Sequence, residues 1–372
     1  MDLSLSTRQV ALAETVRVLC EGRSDPGSWE SVTSQEPGYD RALWSELLRS
    51  GLATAGFSEG VGGSGGDLSD LAVVIEGLAR VPVPTPILNG LVLSGQLLAG
   101  SGQDRSWLAD LLAGRRRFAT CMVEPAEEPG RPGLSATPAR VAGGWTLEGI
   151  VGFVPYAASA DELLVVVPGA TGGEEGAPLF VVEADTNGVT MEVVPTVGGD
   201  RRCHVRFSSV VVPASRVLTP TSGSTGWLFR ALDVARVMVA ADMVGAAAAS
   251  LDHATAWAKS REQFATPIGS FQAIQHRLAD SLIDVTAARD AVYDALGRLD
   301  RHEPGGVAVA AAKAFVTDAC RRVTASAHQV CGGEGIYADQ PVHLWHRRVA
   351  SLAPELGTVR TDREAVAAAL LD

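Results

Sequence analysis

The spacing of apolar residues changes twice along the chain, and this change restricts the possible folds more than any single motif. Residues 1–115 carry apolar side chains three or four positions apart, residues 116–222 contain short β-branched runs, and residues 223–372 return to the helical period. A period near 3.6 indicates amphipathic helices, whereas short β-branched runs broken by glycine and proline indicate strands. We therefore predict an α+β fold with an N-terminal helical domain, a central antiparallel β-barrel or sandwich, and a C-terminal four-helix bundle.

The individual elements follow from the same patterns. Four β-branched runs are the clearest strands, and a Gly-Gly-Trp at 143–145 marks a hairpin turn. These runs are residues 162–168, 177–184, 189–197 and 203–213. Long alanine-rich helices are expected in the last domain, where small residues permit close packing. They cover residues 227–259, 271–301 and 306–330, and a final helix covers residues 363–371.

Composition excludes several classes of partner. The formal net charge of −12 disfavours nucleic acid and anionic membranes, because both attract basic surfaces. The five cysteines are scattered without a C-x-x-C pair, which argues against a disulfide framework and against a metal site. No basic targeting region opens the sequence, and no apolar run reaches the roughly 18 residues of a membrane span. We expect a cytoplasmic chain that binds neither nucleic acid nor a membrane.

Two stretches in the C-terminal part carry recognisable motifs. Residues 260–280 read SREQFATPIGSFQAIQHRLAD, and residues 329–335 read QVCGGEG, with Pro341 and Arg347 following. The first stretch resembles the flavin-adenine signature of the acyl-CoA dehydrogenase family, and the second resembles that family's Gln-x-x-Gly-Gly-x-Gly loop. The order of helical, β and helical domains is also that of the family, so the resemblance covers the whole chain.

This resemblance implies FAD as the cofactor and an acyl thioester, on CoA or on a carrier protein, as the substrate. In the family both motifs reach towards a flavin held mainly by a neighbouring subunit, which implies a homo- or heterotetramer. Arginine suits the pyrophosphate because its guanidinium supplies charge-assisted donors, and glycines let backbone N–H groups come close. The implied cofactor-binding residues are Arg261, Gln263, Phe264, Gln272, Gln329, Gly332 and Gly333.

The position of the family's catalytic base is altered in this sequence. The base that removes the α-proton usually lies in a Glu-Gly-Thr near the C-terminus. Aligned without gaps from Gln329, Gly357 and Thr358 match the Gly-Thr, and Leu356 takes the position of the base. Glu355 comes one place early, and a one-residue offset turns a side chain by about 100° in a helix. We predict Glu355 as the candidate catalytic residue because it is the carboxylate adjacent to that position. Its side chain is one residue out of register with the family's base.

The first long helix of the bundle offers further candidates. Some family members carry the base there, at a position that is Ala235 in this chain, and Asp242 lies on the same face about 10 Å further along. Asp233 and Arg236 are the candidate substrate-binding residues. Because they are one turn apart on the same side of the helix, an ordinary ion pair is the alternative interpretation.

The groups expected to hold the flavin ring also depart from the family. Residues 123–125 (VEP) lack the family's threonine, residues 127–129 (EEP) replace Gly-Ser-Asp, and residues 153–155 (FVP) lose a threonine and a backbone N–H. The adenine-side residues are intact. This asymmetry resembles the less active chain of the actinobacterial heteromeric acyl-CoA dehydrogenases.

The sequence leaves three hypotheses for the function. In the first, the chain is a subunit of a heteromeric acyl-CoA dehydrogenase and contributes the adenine and pyrophosphate side of a shared flavin site. Alternatively, it is a homo-oligomeric family member with altered chemistry, or a non-catalytic structural partner.

Overall fold

Helices, two β-sheets and a second set of helices follow one another along the chain. The computed structural model describes residues 4–23, 25–102, 105–122, 136–166, 178–218 and 226–371. The N-terminal part consists of α1 (Thr7–Leu19), α2 (Pro26–Thr33), α3 (Arg41–Arg49), α4 (Leu68–Ala79), a π-helical segment (Ile87–Leu93), α5 (Ser94–Gly100) and α6 (Arg105–Leu112).

Local capping sets where the first helices begin. At the start of α1 the Ser6 hydroxyl accepts from the backbone N–H of Gln9, and the Gln9 side chain accepts from the N–H of Ser6. This reciprocal pair is a capping box. The helix α2 was not predicted, because it is short and has no buried residue. Asp25, which caps it, and Pro26 in its first turn are the local signals that define it.

The central strands form two four-stranded sheets, in the orders β1-β4-β5-β8 and β2-β3-β7-β6. Their bounds are β1 (Phe118–Met122), β2 (Ala136–Val141), β3 (Gly144–Pro155), β4 (Glu162–Val166), β5 (Leu179–Glu183), β6 (Val189–Val194), β7 (Arg202–Pro213) and β8 (Val217–Leu218). The described strands form separate sheets and no closed barrel, which agrees with the predicted sandwich. The expectation of purely antiparallel pairing is wrong for β1 and β4, which pair in parallel. Parallel neighbours need a crossover connection, and β2 and β3 of the other sheet lie within it.

The first sheet is buried on both faces. Alternate residues of β4, such as Leu163 and Val165, pack against the second sheet, whereas Leu164 and Val166 join the main core with the helices. A strand covered on both sides reads as a continuous apolar run rather than an alternating one. This explains the uninterrupted ELLVV sequence of β4.

The C-terminal part is built around one long helix, α7. Its elements are α7 (Gly226–Ser260), a hairpin of β9 (Glu262–Gln263) and β10 (Thr266–Pro267), α8 (Gln272–Asp300), α9 (Gly306–Cys331), α10 (Val342–Leu352) and α11 (Val359–Leu371). In the described parts of the chain α7 is the one helix long and apolar enough to cross a membrane, but its most apolar window is 94% buried inside the protein. That packing makes α7 a core helix.

Two features of this part differ from the sequence-based expectations. The last helix begins at Val359 rather than at residue 363, and α10 was missed. The apolar face of α10, which includes Val342, Trp345 and Val349, is buried in the bundle. Its two adjacent arginines point in different directions: Arg348 pairs with the buried Asp242, and Arg347 donates to the Val197 carbonyl.

Candidate active site and cofactor surface

A cleft with about 760 Å³ of empty space, including its open mouth, lies where the three parts of the chain meet. The N-terminal helices contribute residues between Pro82 and Leu93, and the sheets contribute Pro155, Tyr156 and residues near Asp200. The bundle contributes α7 and the end of α10. A cavity built from three separate parts of a chain is the usual form of a ligand site.

One wall of the cleft is apolar and suits a hydrocarbon group. The apolar side chains that line it are Pro82, Pro84, Leu88, Leu93, Val239, Leu352 and Leu356. Ala235, at the position considered for a base on α7, also lines the cleft but carries no functional group.

On the side of the cleft near the sheets, Arg202 forms ion pairs with two carboxylates, those of Asp200 and Glu355. The Nε of Arg202 donates to Asp200 at 2.5 Å, and its Nη1 donates to Oε2 of Glu355 at 2.6 Å. Burial alone would lower the pKa of Arg202, but the charges of Glu355 and Asp200 outweigh it and raise the pKa. Glu355 lines the cleft with its carboxylate directed towards Arg202, and a catalytic role for it remains a prediction.

A second ion pair is buried beside the first. The Nε and Nη2 of Arg348 donate to the two carboxylate oxygens of Asp242, at 2.6 and 2.7 Å. Burial would lower the pKa of Arg348, and the Asp242 charge reverses this and raises it. Because both oxygens of Asp242 accept from one guanidinium, this residue serves as the fixed partner of Arg348 rather than as a free carboxylate.

Two hydroxyl groups in the cleft have no hydrogen-bond partner among the described residues. The Oγ1 of Thr85 is enclosed by its neighbours, whereas Tyr156 lines the same cleft as the two ion pairs. Tyr156 follows β3 with a left-handed backbone (φ 57°), and its backbone N–H donates to the Arg201 carbonyl at 2.7 Å. Burial and the nearby charge of Asp200 raise the pKa of Tyr156, so its hydroxyl stays protonated.

The turn that carries Leu356 is anchored from inside the bundle. The fully buried Nζ of Lys313 donates to the carbonyl of Gly357 at 2.6 Å and to that of Ala353 at 3.4 Å, and it lies 3.6 Å from the Asp362 carboxylate. Burial lowers the pKa of Lys313. Leu356 has a positive φ of 54°, a conformation that costs energy for a bulky residue unless its surroundings impose it.

Asp233 and Arg236 lie behind this turn. Arg236 donates to Asp362, and its Nη1 is 3.6 Å from Asp233. Neither residue is among those lining the cleft. Burial raises the pKa of Asp233, although the charge of Arg236 opposes it. The ion-pair interpretation describes their surroundings, and a role in substrate binding remains a prediction.

The two predicted cofactor motifs lie together at the other end of the bundle. A small apolar core containing Ala258, Ala327, Val330 and Cys331 packs beneath both the β9–β10 hairpin and the end of α9. The sequence-distant motifs are therefore neighbours in space. Every predicted cofactor residue is on the outer surface: Arg261, Gln263, Phe264, Gln272, Gln329, Gly332 and Gly333.

One of these residues, Phe264, is a large apolar side chain on the surface. Phe264 is 91% exposed and has a positive φ of 55°, although its ring contacts Phe271 edge-on. Ile336 and Tyr337, just after the glycine loop, are also exposed. Large apolar side chains clustered on a surface are typical of an interaction site, so this end of the bundle is a candidate interaction surface.

The predicted ring-side segment is only partly described. Residues 123–125 and 127–129 lie outside the described residues. Phe153 is half exposed with a positive φ of 54°, and its ring contacts that of His204. Pro155 lines the cleft and has no backbone N–H to offer a ligand.

Sequence reasoning missed Arg202, Asp200, Tyr156, Arg348 and Lys313. Glu355 is 153 residues from Arg202 and Asp242 is 106 residues from Arg348, so no local pattern reveals these two ion pairs. Lysine occurs only at Lys259 and Lys313. A lone lysine in the apolar AVAAAKAFV stretch of α9 was the one available signal, because a lysine is rarely buried without partners.

Comparisons with known proteins identify the family. The model of the acyl-CoA dehydrogenase N-terminal domain matches residues 6–115, and the model of the C-terminal domain matches residues 225–371. The chain belongs to the acyl-CoA dehydrogenase family, whose members are FAD-dependent oxidoreductases. Acyl-CoA dehydrogenase IpdE2 of Mycolicibacterium smegmatis is 31% identical over 360 residues, which cover 96% of each chain.

Solved structures agree with this assignment. The ChsE4-ChsE5 complex from Mycobacterium tuberculosis matches with a TM-score of 0.89 and 26% identity, over 100% of this chain and 99% of that chain. Butyryl-CoA dehydrogenase from Megasphaera elsdenii matches over 100% of both chains, with a TM-score of 0.89 and 27% identity.

The surface at the end of the bundle fits the diphosphate and adenine of FAD. A Cβ added at Gly332 or Gly333 would meet no atom within 4 Å, which leaves an open backbone cradle. Arg261, at the neighbouring hairpin, supplies a positive charge with five donors. These groups lie on the exposed surface of the chain.

Proposed function

We propose that this chain is one subunit of an FAD-dependent acyl-CoA dehydrogenase that introduces an α,β double bond into an acyl thioester. It contributes the adenine and pyrophosphate side of a flavin site shared with a second, unlike chain. The observation that carries this proposal is the contrast between two surfaces. The adenine-side residues are exposed on an outward face, whereas the chain's own cleft presents no free carboxylate at the position of the base.

The adenine side supports the proposal through charge and access. Arg261 follows α7 and lies 5.7 Å from the ring of Trp257, which leaves its guanidinium at the surface. Phe264 and the glycine pair at Gly332 and Gly333 are exposed at the same end. A solvent-exposed cradle with one arginine and an apolar wall binds weakly alone, because its ligand would stay half solvated. A partner that covers the flavin from the other side completes the site.

The base side supports the second half of the proposal. Leu356 stands at the family position of the base and cannot accept a proton. The Oε2 of Glu355 accepts from Arg202, and both oxygens of Asp242 accept from Arg348. FAD supplies the hydride acceptor when bound, and removal of the α-proton requires a positioned base. The unlike partner supplies that base.

The relatives support a two-chain arrangement. The matching structure from Mycobacterium tuberculosis is described as a complex of ChsE4 with ChsE5. Another match, at 27% identity and a TM-score of 0.86, is described as a steroid acyl-CoA dehydrogenase formed by Tcur3481 and Tcur3483. Both are assemblies of two differently named chains.

Flavin content tests the proposal directly. The chain is purified alone and after co-expression with an acyl-CoA dehydrogenase encoded next to it, and the visible flavin absorbance is measured. We expect bound flavin and acyl-CoA oxidation only in the co-expressed pair. Flavin and turnover in the chain alone would instead support a homo-oligomer, and absence of flavin from both samples would support a structural partner.

The adenine-side assignment is tested in the same pair. Arg261→Ala should lower flavin retention by about tenfold, because it removes a charge-assisted contact with the pyrophosphate. Arg360→Ala is the matched control, since Arg360 lies on α11 and is ion-paired with Glu364. Full flavin occupancy in the Arg261 variant would contradict the assignment.

A further inference from the structure

We propose that three histidines packed against the connection between α9 and α10 position its glycine pair for the flavin diphosphate only while their rings are uncharged, so that acid weakens flavin binding. The α9–α10 connection is residues 332–341, and the histidine cluster consists of His328, His343 and His346. This inference rests on the proposed function, because the ligand of the glycine pair is the flavin of that site. It adds positioning residues and a pH dependence to the adenine side.

The histidine cluster holds the two ends of the connection together. His328 lies in the last turn of α9, and His343 and His346 lie in the first two turns of α10. The rings of His328 and His346 meet edge-on with centroids 5.1 Å apart. The Oγ1 of Thr324 lies 3.0 Å from Nδ1 of His346, and this hydrogen bond fixes the second ring. The two helix ends that carry the connection therefore meet through imidazole rings.

The backbone of the connection rests on the cluster. Gly335 is its buried residue, and a Cβ added there would lie 3.4 Å from Nδ1 of His328. His343 interacts with the backbone of Ala338, further along the connection. A displacement of either ring is therefore transmitted to the short segment that begins at Gly332.

Two ring nitrogens of the cluster are enclosed without a partner. The Nε2 atoms of His328 and His343 are buried and have no hydrogen-bond partner in the part of the chain that the structure describes. A neutral imidazole carries an N–H at only one of its two nitrogens, whereas a protonated ring carries one at both. Protonation would thus create a buried donor without an acceptor at each Nε2, which is costly. These positions suit uncharged rings.

No carboxylate of the described residues compensates a charge on the cluster. The charges that act on the three rings are those of Arg321 on α9, Arg347 on α10 and the histidines themselves, and all are positive. The acids of the connection, Glu334 and Asp339, are not among them. A proton taken up by one ring therefore meets only repulsion.

The other elements at this end of the bundle add no counter-charge. On α7, His253 interacts with the side chain of Gln340. On α8, Arg277 donates to the Ser326 hydroxyl at 3.4 Å. Burial raises the pKa of the Cys331 thiol to about 11, so that it stays neutral.

The direction of the pH dependence follows from burial. Burial is the main cause that lowers the pKa of all three histidines, and opening of the connection returns them to the ordinary value of about 6.5. Below about pH 6.5 the open form binds more protons than the closed form, so acid shifts the equilibrium towards the open form. Each histidine can weaken the closed form by at most about tenfold per pH unit.

Flavin release as a function of pH tests the inference. The co-expressed two-chain complex is equilibrated between about pH 8 and about pH 5.5, and released FAD is measured by its fluorescence. For the wild type, the dissociation constant of FAD should be constant down to about pH 6.5 and rise at least about tenfold by pH 5.5. A constant affinity over the whole range would overturn the inference.

A triple variant assigns the acid response to the cluster. With His328→Asn, His343→Asn and His346→Asn combined, the rise in the dissociation constant over the same range should fall below about threefold. His302→Asn is the matched control, because His302 is an exposed histidine before the other end of α9, and it should keep the wild-type rise. The wild-type rise in the triple variant would assign the effect to other groups and overturn the inference.

Hydrogen exchange tests the positioning step without any histidine variant. In the full-length chain alone, deuterium uptake of residues 332–341, corrected for the intrinsic rate, should increase between about pH 7.5 and about pH 5.5. Uptake of the β9–β10 hairpin should not change. Exchange of residues 332–341 that is equal at both pH values would overturn the inference, whether or not the triple variant folds.

The remaining outcomes separate this inference from the proposed function. Loss of flavin in Arg261→Ala, together with pH-independent flavin binding in the wild type, would overturn the role of the histidine cluster and leave the proposed function intact. Absence of flavin from the two-chain complex at every pH would overturn both.

Discussion

At the scale of single residues, the decisive groups are buried charges that hold the cleft in shape. Lys313 is the clearest, because its ammonium group is fully buried and contacts two carbonyls of the turn that carries Leu356. It is balanced by Asp362, which also pairs with Arg236. Lys313 thus holds the turn only through hydrogen bonds to its backbone carbonyl groups.

Lys313→Met should destabilise the chain by about 2 kcal/mol. The variant removes one partner of the buried Asp362, while Arg236 still pairs with that carboxylate, so the loss is smaller than for a fully unpaired charge. Urea unfolding measures the difference, with Lys259→Met, at the exposed end of α7, as the control. A loss below about 0.5 kcal/mol would mean that the turn is held by other contacts.

The stability difference between wild type and Lys313→Met should depend on pH. Burial lowers the pKa of Lys313 in the folded state, so between that pKa and the ordinary lysine value of about 10.4 the unfolded chain binds more protons. Stability of the wild type must then rise with pH in that window. Groups common to both proteins cancel in the difference, which should grow towards alkaline pH; a flat difference would contradict the buried, depressed lysine.

At the scale of elements, α7 organises the molecule because its small residues allow neighbours to approach closely. Gly245 shows this most clearly. A Cβ at this position would lie 2.2 Å from the backbone carbonyl oxygen of Glu76 on α4. The contact is with backbone, which cannot rotate away as a side chain would.

Gly245→Ala should therefore destabilise the fold by about 1–3 kcal/mol, the usual range for overpacking. The sign of the change in unfolding free energy is informative, because replacing glycine by alanine in a helix interior normally stabilises a protein by up to about 1 kcal/mol. Thermal unfolding gives the comparison. Gly60→Ala, where an added Cβ meets nothing within 4 Å, should be close to neutral. Stabilisation by Gly245→Ala would show that α4 and α7 are less tightly packed than the structure indicates.

At the scale of the whole molecule, the cleft exists because charges link the sheets to the bundle. Arg202, at the start of β7, reaches Glu355 after α10. Arg347 on α10 donates to the Val197 carbonyl at 2.7 Å, in a parallel link nearer the surface. Both connect the same two parts of the chain around the cleft.

A double-mutant cycle with Arg202→Met and Glu355→Gln should give a coupling energy of about 1–3 kcal/mol in stability, because the pair is in direct contact and mostly shielded from solvent. Arg17 and Glu21, an exposed pair on and after α1, form the control cycle and should couple by less than about 1 kcal/mol. Under the proposed function, the Glu355→Gln variant should also retain turnover in the complex with the unlike chain. Loss of turnover would restore Glu355 as the base.

The sequence by itself determined the order of helical, β and helical parts, because the local spacing of apolar residues distinguishes helices from strands. It also gave the predicted cofactor motifs, because Arg261, Phe264 and the glycine pair lie in short contiguous stretches. The position of Leu356 followed from a gapless count along one segment. These features depend on residues that are close together in the sequence, so local sequence patterns are sufficient to predict them.

Only the tertiary structure decided the character of the cleft. Arg202 meets Glu355 and Arg348 meets Asp242, across separations of 106 residues or more, and Tyr156 lines the same cleft. The parallel pairing of β1 with β4 arose in the same way, through a connection that passes through another sheet. Periodicity reports which face of an element is buried but not what that face meets, and the chemistry of a buried charge depends on its partner.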